Sequence, residues 1–209
     1  MSLEIPEVGW LEAAANPWHI RVLDVRPVTQ HMVSTSGDPQ CAVNAVSYGL
    51  DSGAGFIGAE PPVQRRISTS LPYRVDGPLE GGALFRPSAM EHKWAIFHQF
   101  GQIFFVRSWQ RKVYVIADTK EHGAYIEVRS IQGTFLAEQE PPDFSSRVLD
   151  YLIRSHALGL IFPAPLLPGL EADPQQAALW CFSAYGRMAE FASMEDPGEA
   201  PPIEALRIL

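Results

Sequence analysis

Residues 92–131 contain four apolar runs, rich in β-branched and aromatic residues, that are separated by short polar breaks. Runs of this length and composition are typical of β-strands, and the short breaks between them are typical of an antiparallel meander. We therefore predict an α+β fold, built on an antiparallel β-meander over about residues 92–131 and packed with C-terminal helices.

The break after the first run predicts a two-residue hairpin turn at residues 101–102. It begins with glycine, as a type II′ turn requires, and this register places Trp94 opposite Trp109. Side chains alternate along a strand, so Phe105 and Phe97 point to opposite faces. Both faces of the first two strands are then apolar. An antiparallel sheet with one solvent-exposed face alternates polar and apolar residues, so we expect both faces to be covered near the first hairpin.

Helix start signals occur at three places in the chain, one of them at Asp143. An aspartate followed by proline stands at residues 38–39 and again at 173–174, which suits an N-cap and the first helical position. The predicted helices cover residues 39–48, 143–158 and 173–192. A short helix over 8–16 and strands over 19–26 and 28–35 complete the prediction for the N-terminal part.

Residues 50–87 are rich in glycine and proline. A connection of this length without secondary structure is unusual inside a compact domain. The segment therefore either contains strands, with candidates near 64–68 and 83–85, or is a functional or mobile loop.

The pattern predicts a single α+β globular domain over residues 1–193. Residues 194–209 follow it as an acidic, proline-rich linker and an apolar C-terminal tail. A tail that ends in apolar residues is expected to dock, either on its own core or on a partner.

The net charge of −8 gives the chain no basic footprint, which argues against nucleic-acid binding. Two cysteines provide neither a disulfide framework nor a metal motif, and they suit a reducing compartment. We find no segment like a signal peptide and no apolar run of about 18 residues that could span a membrane. We expect a soluble cytoplasmic protein that does not act on membranes.

No motif indicates a cofactor or a metal. Residues 53–58 match the glycine spacing of a dinucleotide-binding loop, but no strand precedes them and two prolines follow. None of the six histidines has zinc-ligand spacing. We therefore predict no cofactor and no metal site.

The most informative candidate residue is Arg107, an arginine within an apolar strand. Such a charge is costly to bury unless it is paired or stacked. One interpretation is a partly covered binding site for an anion or a carboxylate. The other is a structural arginine that packs over tryptophans and pairs with Glu127 or Asp118. The candidate binding residues are Trp94, His98, Arg107, Trp109 and Tyr114.

The sequence does not decide between two classes of function, and catalytic residues stay unidentified. The first is a non-catalytic binding or interaction module with another protein as its partner, since no catalytic signature is present. The alternative is a small-molecule-binding protein or an enzyme, with a pocket near Arg107, Trp94 and Trp109 that the 50–87 segment gates. The oligomeric state is left open.

Overall fold

The structure, a computed structural model, describes residues 7–198 and 204–209. In these residues ten strands follow one another along the chain: β1 (Gly9–Leu11), β2 (Val22–Asp24), β3 (Arg66–Arg74), β4 (Gly82–Phe85), β5 (Trp94–Gln99), β6 (Gln102–Arg107), β7 (Lys112–His122), β8 (Tyr125–Gly133), β9 (Ala164–Pro165) and β10 (Phe191–Ser193). Within the same residues the α-helices are α1 (Arg26–Thr29), α2 (Pro39–Val46), α3 (Pro142–Leu152) and α4 (Pro174–Tyr185). Helix α3 continues as a π-helical stretch, Ile153–Ala157.

Six strands form one antiparallel sheet in the order β3-β8-β7-β6-β5-β4. Strands β5 to β8 pair consecutively, which confirms the predicted meander. The two edge strands, β3 and β4, come from the glycine- and proline-rich region, so that region does contain strands. Together with the helices, this sheet confirms the α+β class.

The predicted register of the first hairpin was wrong. The turn forms one residue earlier, at Phe100 and Gly101, and Trp94 lies opposite Arg107 instead of Trp109. Both turn residues have positive φ angles, 48° and 74°, as a type I′ turn requires. Moving the turn by one residue shifts each pair by two, so the side chains of β5 and β6 keep their predicted faces.

Both faces of the large sheet are covered at β5 and β6, as expected, whereas alternate side chains of β3 are exposed. On one side, here called the helical face, strand residues such as Trp94 and Phe105 pack with residues of α3 and α4 in the main core. On the other side, here called the loop face, Phe97 and Phe104 form a smaller core with Tyr48 and Phe56. Burial of these apolar side chains is the main source of stability on both faces.

A second, smaller sheet has the order β1-β2-β10-β9 and joins the N-terminal part of the chain to its C-terminal part. The predicted helix over 8–16 was wrong, because residues 9–11 pair with β2 and only Ala13–Ala15 form a short 3₁₀ turn. The predicted strand over 28–35 was also wrong, since α1 covers its start. A helix of nine residues is marginal by itself, and tertiary pairing overrides its weak preference.

The three longer helices lie where they were predicted, with different ends. Asp38 and Asp173 cap α2 and α4, accepting hydrogen bonds from the backbone N–H groups of Gln40 and Gln176 at 2.9 and 3.0 Å. Helix α4 stops at Tyr185, before its predicted end, because Gly186 follows in a left-handed conformation.

Residues 204–209 lie on the large sheet. The backbone N–H of Leu206 donates to the Arg74 carbonyl and that of Leu209 to the Ala83 carbonyl, both at 2.8 Å. Leu206 is buried in the main core. The tail therefore connects the end of β3 to β4. The predicted linker falls partly outside the described residues.

In the part of the chain that the structure describes, no helix combines the length and the apolar character needed to cross a bilayer.

Candidate functional site

The structure brings four of the five predicted site residues together at one end of β5 and β6. The buried Trp94 ring makes an edge contact with Tyr114, and Arg107 stacks over Trp94, with Cζ 4.7 Å from the ring centroid. Trp109 follows in the next turn and donates from Nε1 to the Met90 carbonyl at 2.8 Å. His98 lies apart. It is buried four residues further along β5, which is about 13 Å at the rise of a strand, and its Nδ1 contacts the Glu80 carbonyl.

Arg107 binds the C-terminal end of α4. Its Nη1 donates to the Ala184 carbonyl at 2.9 Å and its Nη2 approaches the Ser183 carbonyl at 3.4 Å. Trp94 Nε1 donates to the same Ala184 carbonyl, also at 2.9 Å. A cation at a helix C-terminus is favourable because the last carbonyls lack helical partners and carry partial negative charge.

The predicted carboxylate partners of Arg107 were wrong. Asp118 pairs with Arg66, and Glu127 pairs with Arg129. In the described residues, Arg107 forms no ion pair within 4 Å, so its hydrogen-bond acceptors are neutral carbonyls. Burial lowers the pKa of Arg107 to about 10, which still leaves it charged at neutral pH. A positive charge therefore remains without a counter-charge.

Lys93 places a second positive charge beside the first. Its Nζ donates to Ser34 Oγ at 2.7 Å and to the Met90 carbonyl at 3.2 Å. The same atom lies 4.1 Å from the centroid of the Trp109 ring and 4.9 Å from that of Phe182. Burial and, to a smaller extent, the charge of Arg107 together lower the pKa of Lys93 to about 8, although Glu91 acts to raise it.

The two cations line a pocket of about 220 Å³, here called the cation pocket. Its walls are formed by Lys93, Arg107, Ser108, Trp109, Gln110 and Ser183. None of these described residues carries a carboxylate. Two like charges in a partly dehydrated pocket repel each other, and an anion placed between them would remove that repulsion.

A larger cleft of about 490 Å³ lies between β3 and α3, and the sequence interpretation missed it. Here the charges are already compensated. Arg154 Nε donates to Asp150 at 2.7 Å, and Tyr73 Oη donates to the same carboxylate at 2.8 Å. Arg147 donates to three main-chain carbonyls between residues 193 and 195. Burial raises the pKa of Asp150, although both Arg154 and Tyr73 act to lower it.

The sequence contained some indication of this cleft. Arg147, Asp150 and Arg154 follow one another at intervals of three and four residues, which puts them on one side of a helix. Lys93 was harder to find, because its pocket is formed by residues from β6 and α4 that are distant in sequence.

The described residues contain no group of three or more histidine, cysteine, aspartate or glutamate side chains that could hold a metal ion. Cys181 is buried in the main core, where burial raises the pKa of its thiol, so it is not an activated nucleophile. Of the groups at the cation pocket, only Lys93 combines a shifted pKa with a potential nucleophile.

Comparison with protein-family models finds no matching family, and comparisons with curated proteins and with solved structures find no match. The function must therefore be inferred from the geometry of the two clefts.

Proposed function

We propose that this is a non-catalytic binding protein whose cation pocket accepts an acidic group from a partner protein, either an acidic side chain or a terminal carboxylate. The observation that supports this proposal is the juxtaposition of Lys93 and Arg107 in a pocket whose described walls hold no carboxylate. The larger cleft is a weaker candidate for a ligand-binding site, because its arginines already donate hydrogen bonds to acceptors of the protein.

The size of the pocket favours a single group over a whole metabolite. Pockets for complete small-molecule ligands usually measure about 300–1,000 Å³, and this one measures about 220 Å³. A carboxylate at the end of a side chain fits such a volume. Trp109 and Arg107 are also residue types that contribute most to binding energy at protein interfaces.

The location of the charge supports the same proposal. The chain carries a net charge of −8, so its overall field repels anions. A locally positive pocket in an acidic protein gives selectivity for a partner that presents one acidic group at the right place. The same overall charge disfavours nucleic acid as the partner. The two free cysteines support a reducing compartment such as the cytoplasm.

The proposal can be tested by thermal unfolding in the presence of succinate or inorganic phosphate, with sodium chloride at matched ionic strength as the reference. A ligand at about ten times its Kd stabilises by about 1.4 kcal/mol, which for a chain of this size raises Tm by about 3–5 °C. We expect this rise in the wild-type protein and less than about 1 °C in Arg107→Gln.

Arg111→Gln is the matched control, because Arg111 also stacks on an aromatic ring but has a carboxylate partner, Asp51. It should keep the full response. A peptide of alternating aspartate and glycine should bind, whereas its asparagine counterpart should not. Equal Tm shifts in wild type and Arg107→Gln, or shifts that sodium chloride reproduces, would contradict the proposal.

A further inference from the structure

The chain contains three lysines, Lys93, Lys112 and Lys120. Lys112 and Lys120 are exposed on β7, whereas Lys93 is 9% exposed and lines the cation pocket. An unmodified lysine is usually placed in water or beside a carboxylate, because burying its charge is costly. Lys93 is therefore an exception among the three.

Among the described residues, no carboxylate contacts Lys93 directly, although the charge of nearby Glu91 acts to raise its pKa. Within the described residues it makes no ion pair within 4 Å; its acceptors are a hydroxyl and a main-chain carbonyl. The neighbouring Glu91 accepts a hydrogen bond from the Ser34 N–H at 2.8 Å and lies 3.9 Å from Arg187. Its Nζ also lies over the rings of Trp109 and Phe182, and the charge of Arg107 acts on it across the pocket.

We propose that Lys93 is a site of reversible imine formation with a small aldehyde that carries a carboxylate, which Arg107 holds in the cation pocket. This inference rests on the proposed function, since it uses the same pocket and the same preference for an acidic group. It adds a covalent bond and a chemical class of ligand.

The chemistry is balanced without an oxidant or a reductant. The lone pair of Nζ adds to the carbonyl carbon, and the carbonyl π electrons move to oxygen, which takes up a proton. Nζ loses its protons as the hydroxyl leaves as water, and a C=N bond remains. Addition of water reverses the reaction. Arg107, the cation beside the reacting amine, favours an aldehyde that brings a negative charge.

The step needs an unprotonated amine, and the environment of Lys93 provides one. With a pKa of about 8, about a quarter of the amines are unprotonated at pH 7.5, against about 0.1% at the ordinary value near 10.4. A carboxylate bound at Arg107 would counteract the charge repulsion and raise the pKa of Lys93. Burial, which is the larger cause of the lowered pKa, would remain.

The experiment uses the intact protein, glyoxylate as the anionic aldehyde, and acetaldehyde as the neutral probe. Sodium cyanoborohydride traps the imine, and peptide mass spectrometry measures the modified fraction at each lysine. At pH 7.5 and low total modification, we expect glyoxylate to label Lys93 at least about tenfold faster than Lys112 or Lys120. Acetaldehyde should show a smaller preference, and Arg107→Gln should lose the preference for glyoxylate.

The outcomes separate the two proposals. If labelling follows exposure, with Lys112 and Lys120 modified first, the covalent inference is overturned, and a Tm rise with succinate would still support the proposed function. If both aldehydes label Lys93 equally fast, the reactive amine is supported and the anion preference is not. Since the three lysines are compared within one folded wild-type chain, the result does not depend on a variant that folds.

Discussion

The two faces of the six-stranded sheet are covered in different ways. On the helical face, α3 and α4 bury polar groups together with apolar ones, including His156, Tyr151 and the Arg107 end of the cation pocket. On the loop face, the covering segment contributes the aromatic rings of Tyr48 and Phe56, and its Asp51 pairs with Arg111 of the β6–β7 turn at the edge of the sheet.

The difference shows where this fold tolerates uncompensated polar groups. Arg107 and Arg111 flank one hairpin and each stacks on an aromatic ring, at 4.7 Å from Trp94 and 4.4 Å from Tyr48. Only Arg111 has a carboxylate partner. The arginine at the loop face is thus neutralised by a carboxylate. Among the described residues, the helical face instead retains Arg107 without a carboxylate partner and buried polar atoms of Tyr151 and His156 without a hydrogen-bond partner, to which a ligand or a proton can bind.

The largest effect is expected on the loop face, at Gly53. Its φ angle is +82°, and an added Cβ would overlap the buried side chain of Phe97. Gly53→Ala should lower the free energy of unfolding by about 2–5 kcal/mol, since a left-handed alanine costs about 1–2 kcal/mol and overpacking about 1–3 kcal/mol. Urea unfolding of the wild type and the variant measures this change in the free energy of unfolding. Gly55→Ala is the control, because nothing lies within 4 Å of its added Cβ. Equal stability of the two variants would show that the loop face is loosely packed.

The second-largest effect on stability is expected at His156, a buried histidine of the helical face. Ser155 Oγ donates to the Tyr151 carbonyl and lies 2.7 Å from His156 Nδ1. The hydroxyl has one proton, so the ring donates from Nδ1, and Nε2 is left buried without a partner among the described residues. Burial lowers the pKa of His156 to about 3.

The lowered pKa of His156 makes the folded protein less stable as the pH falls. The unfolded chain takes up a proton at His156 below about pH 6.5, and the folded chain does so only near pH 3. The contribution of the neutral His156 side chain to the free energy of unfolding is therefore present above pH 6.5 and is lost as the pH falls towards 3. At pH 4 the loss is roughly 3 kcal/mol. Chemical unfolding from pH 7 to 4 should show this extra loss in wild type relative to His156→Gln.

His122→Gln is the control, because His122 is exposed and faces Glu127. It should follow the wild-type pH curve. Parallel curves for wild type and His156→Gln would mean that the histidine takes up its proton equally in the folded and unfolded chains.

The smallest effects on stability are expected when Arg107 and Arg111 are each replaced, and the two losses can be compared directly. Arg107→Gln should destabilise by about 2 kcal/mol, because charged hydrogen bonds to the end of α4 are lost. Arg111→Gln should cost about 1 kcal/mol or less, since its pair with Asp51 is partly solvated. Equilibrium unfolding of both variants gives the comparison. A larger loss for Arg111 would reverse the assignment of the two roles.

The sequence by itself determined the local elements that have strong patterns. The apolar runs of 92–131 specify strands whatever their partners are, and Asp38 and Asp173 specify helix starts through hydrogen bonds to residues two or three positions away. It also determined which face each residue of β5 and β6 occupies, because alternation survives a two-residue change of register.

Tertiary structure decided what depends on distant partners. Residues 9–11 become a strand only because β2 lies beside them, and β2 in turn pairs with β10, more than 160 residues later. The cation pocket combines residues of the β5–β6 region with Ser183 of α4 and the Ser34 contact of Lys93. Spacing along the chain cannot reveal such a site, because the charges become neighbours only after the helix packs on the sheet and water is excluded between them.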